Sequence, residues 1–327
     1  MEPDLTGTHL PRRVLLLGAT GTIGRAVLHE LRARRHHVVC FVRSPAAALP
    51  DGVEVRFGDV TDAASVETHG FCSESFDVVI SCMASRSGVP RDAWAIDHRA
   101  HQVVLEAAVR HGVRHWVQLS AICVQKPRLA FQQAKLAFEE QLMQAPLAWS
   151  IVRPTAFFKS LSGQLARVRA GRPFLVFGDG ELTWCKPIGD EDLARFLVDT
   201  LDDPAMQNRV LPIGGPGPAL SARNHGELLF KATGQPMKFR RVPVALLDAI
   251  VALLSLLARV IPALADKAEL ARIGRYYATE SMLIWNDATQ RYDADATPET
   301  GTQTLGAYYE RLARGDVGDE RGEHALF

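Results

Sequence analysis

A glycine-rich turn near the N-terminus most constrains the fold of this chain. Residues 18–24 read GATGTIG, follow the apolar run VLLL and open a helical pattern. A buried strand, a glycine turn and a helix N-terminus make room for a pyrophosphate, because glycine lets the backbone approach it closely. The turn therefore predicts a dinucleotide site. The residues expected to hold the dinucleotide are Gly18, Thr20, Gly21, Thr22, Ile23 and Gly24.

Strand and helix patterns alternate through the first half of the chain. The apolar runs lie at residues 37–42, 53–57, 76–81, 115–119 and 150–153. This alternation predicts an α/β fold with a doubly wound, mostly parallel Rossmann sheet. We expect residues 12–160 to form the dinucleotide-binding core. Residues 161–327 are expected to form a smaller substrate-binding region, with some segments that complete the core.

The residues that follow these strands indicate which dinucleotide binds. Arg43 ends the second strand, where the motif places either an acid for the ribose 2′-hydroxyl or an arginine for a 2′-phosphate. Because a guanidinium matches a phosphate in charge and geometry, and no acid lies beside Arg43, the sequence predicts NADPH. Further cofactor contacts are expected at Asp59 and Val60 near the adenine, at Ser81 near the ribose and nicotinamide, and at Pro154 and Phe157.

Composition excludes several classes of function. Lysine plus arginine and aspartate plus glutamate both total 37, so the net charge is zero, and the sequence gives no support for a nucleic-acid partner. The five cysteines are scattered without a C-x-x-C pair, which is typical of buried thiols in a reducing compartment and predicts no protein metal site. Residues 1–13 lack the apolar core of a signal peptide, so we expect a cytoplasmic, bacterial protein.

Residues 242–264 form the most apolar segment. Leucine, isoleucine and valine recur there at helical spacing, and charges at Asp248 and Arg259 keep the uncharged run below the roughly 18 residues of a membrane-spanning helix. Two interpretations remain open. The helix packs on the core or lines a pocket, or it lies in a membrane interface and gives the protein a peripheral membrane association.

The expected catalytic pattern is incomplete. Ser120 ends one strand, and the next helix reads FQQAK, with Phe131 four residues before Lys135. The pattern resembles short-chain dehydrogenase/reductases, in which a serine ends this strand and the helix carries Y-x-x-x-K. There the tyrosine protonates a developing alkoxide and the lysine binds the ribose. Phenylalanine has no proton to donate, so ordinary carbonyl reduction is not expected. Ser120 and Lys135 remain catalytic candidates, and Lys135 is also a candidate cofactor contact.

Five later stretches carry a more specific resemblance. They lie at residues 119–127, 153–161, 185–188, 211–217 and 273–282, and read LSAICVQKP, RPTAFFKSL, CKPI, LPIGGPG and IGRYYATESM. These stretches resemble the 8-vinyl-reductase family, whose members are atypical short-chain dehydrogenase/reductases. The resemblance implies that NADPH reduces the 8-vinyl group of divinyl (proto)chlorophyllide to ethyl, in chlorophyll or bacteriochlorophyll synthesis. The substrate would be a tetrapyrrole that brings its own magnesium.

The same resemblance implies roles for individual residues. Hydride added to the terminal vinyl carbon leaves negative charge that spreads over the macrocycle, so no strong acid is required at Phe131. We expect the final proton to come from water or from Tyr276, Tyr277 or Cys123, and Tyr276 is the catalytic candidate among them. The candidate substrate-binding residues are Phe131, Phe158, Lys159, Lys186, Arg275 and Tyr277, with the lysines and the arginine as partners for the propionate.

Two other functions are compatible with the glycine turn. One is an isoflavone-reductase-like or epimerase-like NADPH oxidoreductase that acts on another conjugated or carbonyl substrate. The other is a non-catalytic NADPH-sensing regulator or structural subunit, since such proteins also lose the tyrosine. Turnover of a divinyl chlorophyllide would separate these alternatives from the vinyl reductase.

Overall fold

A computed structural model describes residues 10–44 and 49–318, so most of the segment 1–13 lies outside the described residues. The strands of the described part are β1 (Arg13–Leu17), β2 (His37–Val42), β3 (Glu54–Phe57), β4 (Val78–Ser81), β5 (His115–Leu119), β6 (Ala148–Pro154), β7 (Phe174–Phe177), β8 (Trp184–Cys185), β9 (Arg209–Ile213), β10 (Leu220–Ser221), β11 (Phe239–Val242), β12 (Ile284–Asn286) and β13 (Arg291–Asp293). The α-helices are α1 (Thr22–Ala33), α2 (Ala63–Ser65), α3 (Pro90–Ala93), α4 (His101–Arg110), α5 (Ala130–Gln144), α6 (Leu165–Arg169), α7 (Asp190–Asp199), α8 (Ala222–Thr233), α9 (Val244–Ala258), α10 (Ala265–Thr279) and α11 (Leu305–Arg314). Two π-helical segments, Val66–Phe71 and Trp94–Ala100, follow α2 and α3.

A seven-stranded sheet forms the centre of the molecule. Its strand order is β3-β2-β1-β4-β5-β6-β9, and every neighbouring pair is parallel. The order reverses between β1 and β4, and in doubly wound sheets a ligand binds at that point, beyond the carboxyl ends of the strands. The predicted doubly wound Rossmann fold is confirmed.

The central strand β1 shows why the sequence folds in this way. Its apolar side chains alternate between the two faces, and both faces are buried, as is usual for parallel strands covered by helices. Leu16 packs in one core with Leu28 of α1 and Leu197 of α7. Leu15 packs in the other core, on the opposite face, with Phe138 of α5.

The second half of the chain contributes both to this core and to a separate one. Strand β9 extends the sheet beside β6, and α7 packs against α1. The remaining elements form short two-stranded pairings and a third packed layer, in which Phe174, Phe230 and Tyr309 from β7, α8 and α11 meet. The segments after residue 160 thus reach back into the central sheet.

The apolar segment is a surface helix. No residue of α9 is buried, and the helix packs on α10. It therefore covers α10 from outside and does not enter the central core. Among the described residues, no helix is long and apolar enough to cross a bilayer. The large apolar residues exposed on and just after α9 are Leu246, Ile250, Leu253, Leu256, Leu257, Val260 and Ile261.

Candidate cofactor and active site

The glycine turn joins β1 to α1 at the carboxyl edge of the sheet. Gly18 has a φ of +74°, and a Cβ there would lie 2.7 Å from the backbone carbonyl carbon of Cys82. A Cβ on Gly24 would lie 2.1 Å from the Gly18 carbonyl oxygen, whereas one on Gly21 would lie 3.4 Å from the same atom. Gly18 and Gly24 are therefore required for the close approach of turn, helix and neighbouring strand.

The N-terminus of α1 can receive an anion. The N-cap is Gly21, which has no side chain to cap the free N–H groups of the helix. The first turn of α1 also holds no acidic residue. Its backbone N–H groups and the positive end of the helix dipole therefore attract a phosphate. Ile23 is buried in the core, so it can contribute only through its backbone, and Thr20 is exposed beside it. The Thr22 hydroxyl accepts a hydrogen bond from Lys159.

Arg43 and Asp59 lie at neighbouring strand ends, after the paired strands β2 and β3. Thr61 donates its backbone N–H and its hydroxyl to Asp59 Oδ1 at 2.8 and 2.7 Å. These bonds lower the pKa of Asp59, and the charge of Arg43 lowers it further. Val60 is partly buried against the core. The structure therefore brings the residues predicted for adenine and 2′-phosphate to one edge.

Ser81 lies at the same edge of the sheet, but its hydroxyl is hydrogen-bonded to a buried histidine. Its Oγ lies 2.7 Å from Nε2 of His101, whose Nδ1 lies 2.8 Å from the carbonyl oxygen of Ile96. The carbonyl fixes the proton on Nδ1, so the Ser81 hydroxyl donates to Nε2. Burial lowers the pKa of His101 to about 4. The Ser81 side chain is thus engaged with His101 and not directed to the predicted ribose position.

Ser120 is also tied to an internal partner. Its hydroxyl donates to Glu139 of α5, which is fully buried and pairs with Arg153 of β6. A buried carboxylate needs such hydrogen bonds and a counter-charge, because it has lost its water. The contacts of Ser120 therefore support the packing of α5 on the sheet, which differs from the catalytic contact expected from the sequence.

Phe131 and Lys135 lie one turn apart on α5, as the sequence predicts. The Lys135 ammonium donates to Asp97 Oδ1 at 2.9 Å, and both side chains are buried. Phe131 packs with Ile273 of α10, and a Cβ on Gly88 would lie 3.4 Å from its ring. The position of the missing tyrosine is therefore an apolar wall, formed by α5, α10 and the loop after β4.

The three side chains expected as proton donors lie beside this wall. The Tyr276 hydroxyl donates to the carbonyl oxygen of Cys123 at 3.1 Å, and burial raises the pKa values of both side chains. Tyr277 interacts with the Cys123 thiol, which also contacts Gln132. Tyr277 is 40 % exposed, whereas Tyr276 and Cys123 are buried. Burial nevertheless raises the pKa of Tyr277 well above its ordinary value, so its hydroxyl is enclosed although other atoms of the side chain are exposed.

Phe158 and Lys186, both predicted to bind substrate, have internal partners instead. Phe158 is buried, with its ring centroid 5.5 Å from that of Tyr308. Lys186 is buried and donates to the carbonyl oxygen of Thr297 at 3.1 Å, with Glu299 3.9 Å away. These contacts indicate structural roles for both residues in the second half of the chain.

The last predicted positions lie in two places. Arg275 of α10 pairs with Asp248 of α9, so it holds the two helices together. Pro154 ends β6 opposite Ile213, and Phe157 is bridged to Ile188. Pro154 and Phe157 therefore follow the central sheet at the edge that carries the glycine turn.

Sequence reasoning missed the two buried carboxylates that organise this site. Asp97 and Glu139 occur in helical segments, where a charged residue is ordinarily solvated, so their pattern gave no signal. Arg153 did offer a signal, since it follows the apolar residues of β6, and an arginine that is largely removed from water there needs an acid.

Comparison with known proteins identifies the family. A family profile described as NAD(P)H-binding matches residues 18–204. The divinyl chlorophyllide a 8-vinyl-reductase of Oryza sativa subsp. indica is 45% identical, over 96% of this chain and 82% of its own. The enzyme of the same name from Arabidopsis thaliana is 43% identical, over 95% of this chain and 79% of its own. The chain belongs to the divinyl chlorophyllide a 8-vinyl-reductase family. The resemblance carried by the later sequence stretches is confirmed.

Fold comparison adds a dinucleotide-bound structure. The NADPH-dependent quinone oxidoreductase QOR2 of Escherichia coli, complexed with NADPH, is 18% identical and superposes with a TM-score of 0.65, over 91% of this chain and 99% of its own. This likeness shows the fold, and the family profile adds a nicotinamide dinucleotide as cofactor. The two 8-vinyl-reductases are both named as chloroplastic. They give no support to the expected bacterial source.

Proposed function

We propose that this member of the 8-vinyl-reductase family reduces the 8-vinyl group of a divinyl chlorophyllide to ethyl, with NADPH as donor. The observation that carries the proposal is the 45% identity to the rice reductase over 96% of this chain. The glycine turn gives independent support, since the turn packs so closely on α1 and on the strand end at Cys82 that neither Gly18 nor Gly24 has room for a Cβ. A chain of this kind is an oxidoreductase that acts on a carbon–carbon double bond.

The residues around the glycine turn fit NADPH in particular. The bound dinucleotide supplies the hydride. The first turn of α1 offers N–H groups to the pyrophosphate, and Arg43 offers a guanidinium to the 2′-phosphate. The adenine contact is assigned to Asp59, whose carboxylate is held by Thr61. This combination of contacts favours NADPH over NADH.

The chemistry explains the phenylalanine in the place of tyrosine. A hydride and a proton form two new C–H bonds while the π bond of the vinyl group is lost. The charge left after hydride addition spreads over the macrocycle, so no acid is needed at Phe131. The apolar wall of Phe131 and Ile273 would instead pack on the flat ring and align it for hydride transfer.

Tyr277 is the proposed source of the proton. Tyr276 already donates its hydroxyl to a backbone carbonyl and is buried, so it would have to break that bond to reach a substrate. The Cys123 thiol is buried behind the wall. Tyr277 is partly exposed, and in the described part of the chain its hydroxyl contacts the Cys123 side chain and not a backbone carbonyl. Burial raises the pKa of this hydroxyl, so it keeps its proton until the substrate takes it. Ser120, Lys135 and Tyr276 would then stabilise the fold around the site through their internal hydrogen bonds and would take no direct part in the reaction.

The test is turnover. Purified protein is incubated with NADPH and divinyl chlorophyllide, and conversion is followed by the shift of the Soret band and by chromatography of the product. We expect the monovinyl product, and none from the Gly24→Ala variant, in which the added Cβ forces α1 away from the glycine turn. Absence of product while NADPH still binds would overturn the proposal in favour of a non-catalytic dinucleotide-binding protein.

We also propose that the exposed face of α9 lies on an anionic lipid surface. Its leucine and isoleucine side chains lie outside the core, and Arg240, Arg241 and Arg259 are exposed at the two ends of the helix. An apolar helix face flanked by cations is the arrangement that binds lipid interfaces.

Sedimentation with lipid vesicles tests this surface. We expect the protein to pellet with vesicles that contain phosphatidylglycerol and to stay in solution with Leu253→Glu and Leu256→Glu together. The matched control is Val109→Glu, an exposed apolar position on α4. If the wild-type protein fails to pellet, or if the double variant pellets equally, α9 does not bind lipid.

A further inference from the structure

Lys159 brings a positive charge to the glycine turn from a distant part of the chain. It lies in the short helical turn Phe158–Leu161 that follows β6. Its ammonium lies 3.2 Å from the hydroxyl oxygen of Thr22, the first residue of α1. The N-terminus of α1 therefore carries an ammonium group in addition to its own N–H groups and dipole.

The backbone of Lys159 is anchored on both sides. Phe158 is buried in the core of the second half, where its ring lies beside Tyr308. The buried Ser162 donates its hydroxyl to the Lys159 carbonyl oxygen at 2.8 Å. The start of the side chain is thus fixed, and its long flexible stem lets the ammonium move between Thr22 and a nearby anion.

The surroundings leave this ammonium incompletely neutralised. Its hydrogen-bond acceptor is the neutral Thr22 hydroxyl, a weak partner for a cation. Asp190, the first residue of α7, is close enough for the Lys159 charge to act on its carboxyl, yet within the described part of the chain the two side chains form no ion pair and Asp190 Oδ1 has no hydrogen-bond partner. An anion at the α1 N-terminus would therefore gain a charged partner.

We propose that Lys159 binds the pyrophosphate of the dinucleotide, beside the N–H groups of the first turn of α1. This replaces its expected role as a partner of the substrate propionate. The inference rests on the dinucleotide site and not on vinyl reduction, so it can be tested without a tetrapyrrole. It also makes the turn after β6 part of the cofactor site, because Lys159 and Phe157 belong to the same segment.

The test is direct binding of NADPH and NADH, followed by the fluorescence of the reduced nicotinamide in the absence of any tetrapyrrole. The pyrophosphate is common to both dinucleotides. We therefore expect Lys159→Gln to raise both dissociation constants about tenfold and to leave their ratio unchanged, because one charge-assisted contact is lost. Lys159→Arg should restore most of the affinity. Lys267→Gln, which removes an exposed lysine of α10, should change neither.

Other outcomes would overturn the proposal. If Lys159→Gln bound both dinucleotides as tightly as the wild type but had a raised KM for the tetrapyrrole, Lys159 would be a substrate-binding residue. A loss confined to NADPH would place it at the 2′-phosphate, and weaker binding together with a lowered Tm would make its role structural. If the protein binds both dinucleotides as expected but reduces no divinyl chlorophyllide, the proposed function fails while the role of Lys159 stands.

Discussion

The ammonium of Lys135 lies 2.9 Å from Oδ1 of Asp97, and the two residues are 9 % and 1 % exposed. The pair connects α5 to the π-helical segment Trp94–Ala100. The backbone N–H of Ser85 also donates to Oδ1, at 3.2 Å, while Oδ2 has no hydrogen-bond partner among the described residues. Lys135 thus neutralises a carboxylate that the fold has removed from water.

Removal of Lys135 should therefore destabilise the fold. Lys135→Met leaves Asp97 charged, buried and unpaired, which we expect to lower the free energy of unfolding by about 3–5 kcal/mol. Urea denaturation measures this. The double variant Lys135→Met, Asp97→Leu should recover most of the loss, because both charges are gone. A Lys135→Met protein of unaltered stability but weak NADPH binding would contradict this and favour the ribose role.

The His101 imidazole predicts a pH dependence. Burial is the main cause that lowers its pKa to about 4, the Lys135 charge adds to it, and Asp97 opposes it. The unfolded chain binds a proton near pH 6.5 while the folded chain does not. The contribution of His101 to the free energy of unfolding should therefore be fully present above about pH 6.5 and be lost as the pH falls toward 4. The loss from this residue should be about 3 kcal/mol at most.

His101→Gln isolates this contribution. Other buried histidines add to the total slope, so the quantity to compare is the difference between wild type and variant in urea denaturation from pH 7 to pH 4. The wild-type protein should lose more of its free energy of unfolding over that range than the variant. Parallel curves would mean that His101 takes up its proton equally well in the folded state.

The sequence predicted the sheet, the glycine turn and the strand ends, because each depends on local pattern. The continuous apolar run of β1 and the spacing of Gly18 and Gly24 are local properties. The direction of the Ser81 and Ser120 hydroxyls was not predictable in the same way. It depends on His101 and Glu139, which approach only after the helices have packed. The surface position of α9 likewise depends on α10, since an apolar helix is usual in a core.

Gly24 of α1 and Gly21, its N-cap, predict contrasting effects of one added methyl group. Gly24→Ala would place a Cβ 2.1 Å from the Gly18 carbonyl oxygen, so α1 must move away from the turn. We expect NADPH affinity to fall by at least about 100-fold, since the phosphate cradle loses its shape. Gly21→Ala is the matched control. Its Cβ would lie 3.4 Å from the same oxygen at a φ of −74°, and affinity should change by less than about threefold.

Fluorescence titration with NADPH measures both variants. Equal loss in the two would mean that Gly21 must approach the phosphate more closely than its open surroundings indicate. Equal retention would mean that α1 can shift without damage to the site.

Arg43 predicts the preference between the two dinucleotides. Arg43→Gln removes the guanidinium at the end of β2 and should raise the KM for NADPH by about tenfold or more, with little change for NADH. The adjacent Asp59 should then repel the 2′-phosphate without a compensating cation. Steady-state kinetics with each donor measure the ratio. An equal change in the KM values for NADPH and NADH would show that Arg43 does not bind the 2′-phosphate.

Phe131→Tyr and Tyr277→Phe together test where the proton comes from. The ring at 131 packs against Ile273 and the backbone near Gly88, so a hydroxyl there adds an acid that the delocalised charge does not require. We expect Phe131→Tyr to leave kcat within about threefold and Tyr277→Phe to lower it by about 10²–10⁴-fold, the usual range for general acid catalysis. Both rates are measured at saturating NADPH. A gain of orders of magnitude in Phe131→Tyr would restore the tyrosine route, and an unaffected Tyr277→Phe would leave water as the donor.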